Sequence, residues 1–172
     1  MPPTAAVRRR RESIVREHLD SENRHEFDAT LATFDHPRYE LIATEEVYDG
    51  PEEVARYFEE TRRAFPDQRN ELVALHHADD GVLVEAIVRG THKGRLRSLP
   101  PTGREFELPI LAFFVFEGGD KLVCERVYFD QLTVLRQLAI ARDPSSLTGR
   151  LGTLVSHPLT IGRGLVRRVI GR

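Results

Sequence analysis

Between Ala5 and Leu19 the apolar side chains Val7, Ile14, Val15 and Leu19 share one stripe of a helical period, with charges on the other faces, which predicts a long amphipathic helix. A shorter helix is predicted over Phe27, Leu31 and Phe34. It must end near His36, because Pro37 forces its predecessor out of helical geometry. Tyr39 to Tyr48 is rich in β-branched and aromatic residues. Asp49-Gly50-Pro51-Glu52-Glu53 then offers a capping side chain, a first-turn proline and two acids at a positive helix end. The third helix that starts there carries the stripe Val54, Tyr57, Phe58, Thr61 and Phe65 and stops at Phe65-Pro66-Asp67.

Beyond Asp67 the period shortens to that of strands. Asn70 to His77, a turn at Asp79-Asp80-Gly81, and Val82 to Leu96 read as a long hairpin. Leu99-Pro100-Pro101-Thr102-Gly103-Arg104 is a turn, followed by strands over Glu105 to Glu117 and Lys121 to Phe129 joined at Gly118-Gly119-Asp120. Pro109, inside the third strand, demands a bulge or an edge position. Gln131 to Arg142 reads as helix, with Leu132, Leu135, Leu138 and Ala139 on one side, and Asp143-Pro144-Ser145-Ser146 ends it. Helices first and a meander of long strands afterwards is an α+β order, with helices covering one face of an antiparallel sheet. We divide the chain into a domain over residues 1–142 and a basic extension over 143–172, partly helical, and find no internal repeat.

Composition narrows the classes. At 172 residues, with 40% hydrophobic and 30% charged, the chain is long enough for one globular domain that stands on packing alone. A single cysteine, Cys124, excludes an internal disulfide and a multi-cysteine zinc site, so a cytoplasmic location is the default. Arg8 to Arg11 are not followed by the apolar run of a secretory signal. The net charge of −2 offers no chain-wide attraction for phosphate backbones, and nucleic acid is not expected as a partner. The spacing of His36 and His76-His77 matches no standard metal-ligand pattern, so no metal is expected. Gly90, Gly94 and Gly103 do not open a helix after a strand and so form no phosphate loop.

Gly90-Thr91-His92-Lys93-Gly94, then Pro100-Pro101-Thr102-Gly103-Arg104, then Glu125-Arg126-Val127-Tyr128-Phe129-Asp130-Gln131-Leu132 with Leu135 and Arg136-Gln137-Leu138, resembles the signature of the SnoaL-like polyketide cyclases. The helix start at Gly50-Pro51-Glu52-Glu53 and the stop at Phe65-Pro66-Asp67 fit the same pattern, so the likeness covers roughly residues 7 to 142. Its motifs are short and only their joint order is specific. The resemblance implies a cone-shaped, curved antiparallel sheet wrapped by N-terminal helices, the nuclear transport factor 2-like or cystatin-like α+β barrel. It also implies a pocket for a hydrophobic small molecule, a homodimer, and a cofactor-free aldol closure with one aspartate as acid/base. Asp130 stands at the matching position.

The residues themselves frame the candidates. Unbroken alternation places Leu122, Cys124, Arg126, Tyr128 and Asp130 on one face, so that a carboxylate, a phenol and a guanidinium share a wall. Asp130 then serves as acid/base, with Arg126 and Tyr128 holding the substrate or an enolate oxygen. Asp130 also stands directly before a helix, where Asp is a preferred cap, and the two roles are not exclusive. His92 shares the face of Val82, Val84, Ala86 and Val88 and is expected to reach the interior and position a carbonyl, against the alternative of a solvated ring at the rim. His36, near Tyr39, lies in a loop placed to close the mouth. Phe58, Phe65 and Phe113, like Phe129, are core first and ligand wall second.

Two function classes follow. One is a cofactor-independent cyclase or isomerase acting on a hydrophobic carbonyl compound of polyketide type; the other is a non-catalytic module that holds an apolar ligand or a protein partner. An epoxide hydrolase or ketosteroid isomerase-like activity ranks below both, because the extra acids those mechanisms use have no evident place. From Leu159 onward Gly162, Leu165, Val166, Val169 and Ile170 fall opposite Arg163, Arg167, Arg168 and Arg172. Peripheral membrane contact by this basic tail is the lesser expectation beside packing on the domain or a partner.

Overall fold

The computed structural model describes residues 2–143 and 145–159. Its elements run α1 (Ala5–Asn23), α2 (Phe27–Leu31), β1 (Arg38–Leu41), β2 (Glu46–Asp49), α3 (Pro51–Ala64), β3 (Arg69–His77), β4 (Gly81–Thr91), β5 (Glu105–Glu117), β6 (Lys121–Phe129), α4 (Gln131–Gln137) and α5 (Leu147–Ser156). The long β3-β4-β5-β6 meander is the expected one, except that the second strand stops at Thr91 rather than Leu96. The stretch from Tyr39 to Tyr48 is a hairpin of two short strands that reverses near Glu45, a non-glycine residue at φ 57°.

The six strands form one curved sheet in the order β2-β1-β6-β5-β4-β3. Two features depart from a closed antiparallel barrel. β1 reaches β6 only after the chain has passed through α1 and α2, and it pairs parallel to it. The end strands β2 and β3 are not bonded to each other, so the sheet stays open. Helices α1 and α3 lie over its inner face and bury Val15, Leu19, Val54 and Phe58 against Val82, Val84 and Phe114.

Local chemistry fixes the ends. The Thr4 side chain caps α1 by accepting from the Val7 amide. The start of α3 corrects one expectation: Gly50, at φ 93°, is the cap residue, while the Asp49 carboxylate instead accepts from His36 and Arg38. Helix α2 is shorter than its apolar spacing suggests, and Phe34 leaves it to bridge Leu122. Pro109 sits where β5 has run past β6, whose last paired residue is Phe129 opposite Ile110. Two residues away, Glu107 exchanges both backbone bonds with the Gln137 side chain, so the proline's missing donor faces that locally open edge. Helix α4 ends at Gln137, well before Arg142, where Ala139 turns left-handed at φ 58°.

The face presented by β6 is set by a bulge. Val115 pairs with Cys124 but Phe116 pairs with Leu122, so Val123 is an extra residue. Leu122 and Glu125 therefore both point inward, and Cys124, Arg126 and Tyr128 point outward. This corrects the unbroken alternation along β6. The helical stripe expected beyond Leu159 lies outside the described residues. No helix among the described residues is long and apolar enough to cross a membrane.

Candidate functional site

Between the inner face of the sheet and the helices lies a cavity of about 710 Å³. Its walls are the inward residues of the long strands, among them Val84, Ala86, Leu108, Ile110, Val127 and Phe129, with Phe65 from the end of α3. The exposed side chains of Arg63, Arg95 and Arg97 mark its rim, where Leu96 and Leu99 also line it. The loop from Arg95 to Leu99 is tied to β2 by an ion pair from Arg97 to Glu46.

Polar groups are buried along the same wall. Register places Phe114, Glu125, Tyr39 and Tyr48 side by side across four strands. Glu125 is 4% exposed and lines the cavity. Its Oε2 lies 3.2 Å from Nε2 of His18, which reaches in from α1, and has no hydrogen-bond partner. The His18 ring is fully buried and meets Phe34 and Phe114 edge-on. Its proton placement follows from its neighbours. The Thr33 hydroxyl donates to the Thr30 carbonyl (2.7 Å), so it accepts from Nδ1 of His18, 2.9 Å away. Nε2 is then free to accept from the Tyr39 phenol at 2.7 Å.

One turn along α1, Glu22 also lines the cavity and accepts from Arg62 of α3 at 3.0 Å. Burial pushes the Glu22 carboxyl up, and the Arg62 guanidinium pulls it back only in part. Burial likewise pushes the Tyr57 and Tyr39 phenols up, reinforced by the nearby glutamates, so both remain donors across the physiological range. The wall thus combines two carboxylates, an imidazole of defined tautomer and hydroxyl donors inside an apolar chamber.

The residues singled out in the sequence fall mostly elsewhere. Asp130 is exposed at the N-terminus of α4; Oδ1 accepts from the Leu132 amide and Oδ2 from the Thr133 hydroxyl. The Thr133 hydroxyl, with backbone donors and Arg136 assisting, holds its carboxyl below the usual range despite a small opposing desolvation. Arg126 and Tyr128 lie on the outer face, where Arg126 pairs with Glu40. His36 is exposed and bonded to Asp49. Phe58 packs in the core, and Phe113 pairs with Arg126 on the outer face. Phe65 does line the cavity, as does Phe129.

His92 reaches the interior as expected but sits behind Phe65, 5.3 Å ring to ring. Its Nδ1 accepts from the Thr102 amide, burial pushes its pKa down, and the proton on Nε2 meets no partner. His18, Glu22, Tyr39 and Glu125 were not anticipated. A signal existed for two of them, since Arg11, Val15, His18 and Glu22 are spaced as one helical stripe.

The family model of the SnoaL-like polyketide cyclases matches residues 12–138. The chain belongs to this family. No curated protein matches the SnoaL-like chain by sequence. Among solved structures, a candidate SnoaL-like polyketide cyclase from Jannaschia sp. CCS1 is similar at 18% identity and a TM-score of 0.69, over 77% of this chain and 94% of that one. A candidate polyketide cyclase from Xanthomonas campestris pv. campestris gives 20% identity and 0.69, over 77% and 98%. IdmH, a candidate polyketide cyclase from Streptomyces antibioticus, gives 24% and 0.62, over 74% and 97%. At these identities the likeness shows the fold, the nuclear transport factor 2-like α+β architecture, and the SnoaL-like chain is a small-molecule pocket protein of cyclase or isomerase type.

Proposed function

We propose that this protein binds a hydrophobic carbonyl compound of polyketide type and closes a ring or shifts a double bond in it without a cofactor, with Glu125 rather than Asp130 as the acid/base. The observation that carries this reading is a buried carboxylate on the cavity wall, one oxygen of which has no hydrogen-bond partner. A desolvated carboxylate is the group that removes a proton next to a carbonyl, and the developing enolate oxygen needs a donor. Tyr57, on the same cavity wall, supplies one. The proton taken by Glu125 returns to the substrate at the end of the turn, so no acid or base is consumed.

Deuterium uptake next to the carbonyl of 1-tetralone, an apolar enolisable ketone, tests this. The protein accelerates exchange, and Glu125→Gln slows it by about 100-fold or more while binding of an apolar fluorescent probe persists. Asp130→Ala leaves exchange unchanged and lowers thermal stability through the lost cap. Equal exchange by Glu125→Gln and the parent protein rejects the catalytic assignment.

One observation favours the second reading, a binding module without chemistry. Both oxygens of Asp130, the residue matching the family's aspartate, are committed to the helix cap. On that reading Glu125 and Tyr57 only orient the ligand, and neither 1-tetralone exchange nor its Glu125 dependence is seen.

We also propose a homodimer formed through the outer face of the sheet. Leu111 and Tyr128 pair across β5 and β6 there and are 41% and 45% exposed, beside Phe113 and with no helix above them among the described residues. Light scattering after size exclusion reports the mass, and Leu111→Arg with Tyr128→Glu returns it to the monomer value.

A further inference from the structure

We infer that α5 is a membrane-surface element that seats the protein on anionic bilayers. Leu147, Leu151 and Val155 are 79, 62 and 82% exposed, with Leu154 at 47% beside them and Leu159 at 76% a turn later. At 100° per residue Leu147, Leu151, Leu154 and Val155 occupy one side of α5. The opposite side holds the buried Gly149 and the exposed Thr153 and Ser156. A Cβ at Gly149 would stand 1.8 Å from the Asp143 carbonyl oxygen. Gly149 therefore packs on the turn just before the helix, and the aliphatic side is left uncovered by the described residues.

Charge identifies what covers this side. After Asp143 the sequence holds Arg150, Arg163, Arg167, Arg168 and Arg172 and no Asp or Glu. An aliphatic stripe joined to an exclusively cationic segment matches a surface that offers apolar depth beneath a layer of negative charge, which is an anionic lipid leaflet. A protein partner would more often be met by aromatic anchors, and the stripe has none. Residues 138–146 are all that separate α4, whose Val134 and Leu135 line the cavity, from α5. The element thus holds the ligand chamber close to the phase in which apolar compounds collect. This inference is independent of any catalytic role.

The test is co-sedimentation of the full chain with vesicles of phosphatidylcholine alone and of phosphatidylcholine with phosphatidylglycerol. Binding is expected to the anionic vesicles and to fall about tenfold or more with phosphatidylcholine alone, or as ionic strength rises toward about 0.5 M. Leu151→Asp with Val155→Asp is expected to abolish it, and Arg167→Glu with Arg168→Glu to weaken it, while circular dichroism and apolar-probe binding by the cavity stay as in the parent. Failure to pellet with anionic vesicles overturns the inference. So does pelleting that is indifferent to Leu151→Asp with Val155→Asp, or a concentration-dependent oligomer that this double variant removes, since the stripe would then be covered by a second copy.

Discussion

His18 on α1 and Glu125 on β6 stand 3.2 Å apart with both side chains buried. Helix and sheet therefore meet at the cavity wall through a polar contact, with Tyr39 bonded to the same imidazole nitrogen. The 2.7 Å bond from the Tyr39 phenol to His18 is costly to break from one side, because the group left behind is buried without a partner.

The first prediction follows from that bond. Tyr39→Phe and His18→Leu each lower unfolding stability by about 1–3 kcal/mol, whereas the double variant falls short of their sum by about 1 kcal/mol. Urea denaturation of the four proteins measures the difference. Strict additivity would mean that the two residues do not interact.

Half of this arrangement was legible in the sequence. Helix α3 and strands β5 and β6 appear where proline and the glycine turns put them, since those signals act on the residues that carry them. His18 and Glu22 lay on the apolar stripe of α1 in plain view; polar residues there ordinarily read as its solvated margin. The inward turn of Glu125 had no local signal, because the bulge at Val123 exists only in the pairing of β6 with β5. Asp130 was correctly placed before a helix, and the structure puts both of its oxygens into the cap.

A second prediction concerns the chamber. Ala86 is almost fully buried yet lines the cavity, so a larger side chain there has space that a filled core would deny it. Ala86→Leu is expected to keep or raise the melting temperature and to weaken binding of an apolar fluorescent probe by about tenfold. A solid interior would instead lose about 1–3 kcal/mol to overpacking, which thermal unfolding distinguishes.

The third rests on Asp67, which joins the loop after α3 to the end of β4. Its carboxylate accepts from the Thr91 amide and hydroxyl and from Lys93 at 3.0 Å. Burial pushes the carboxyl up, but the Thr91 and Lys93 bonds together outweigh it and hold it well below the usual range. A depressed folded-state value means stability that is fully present above about pH 4, the unfolded value, and lost as the pH falls below it. Asp67→Ala is therefore expected to melt about 2–4 °C lower at pH 7, with the gap to the parent closing as the pH drops through the acid range. A gap that stays constant with pH would show that the carboxylate's charge plays no part.

The fourth isolates a backbone contact behind the cavity wall. The amides of Lys93 and Gly94 both donate to the Ala64 carbonyl at 3.0 Å, which brings the end of α3 against the segment leaving β4. At Gly94 a Cβ would stand 1.8 Å from the Arg63 carbonyl oxygen, a main-chain atom that no rotamer change can move. Gly94→Ala must then separate the two segments and lengthen both bonds, at a cost of about 2–3 kcal/mol. Because Phe65 follows directly and packs on His92, 5.3 Å away, the same shift loosens the apolar wall, and affinity for an apolar probe drops with stability. Gly103→Ala is the control: Gly103 has open space around its Cβ but a φ of +68°, so it loses stability through backbone strain while the wall and probe affinity stay intact. If both variants weaken the probe equally, the contact between Gly94 and Arg63 does not shape the chamber.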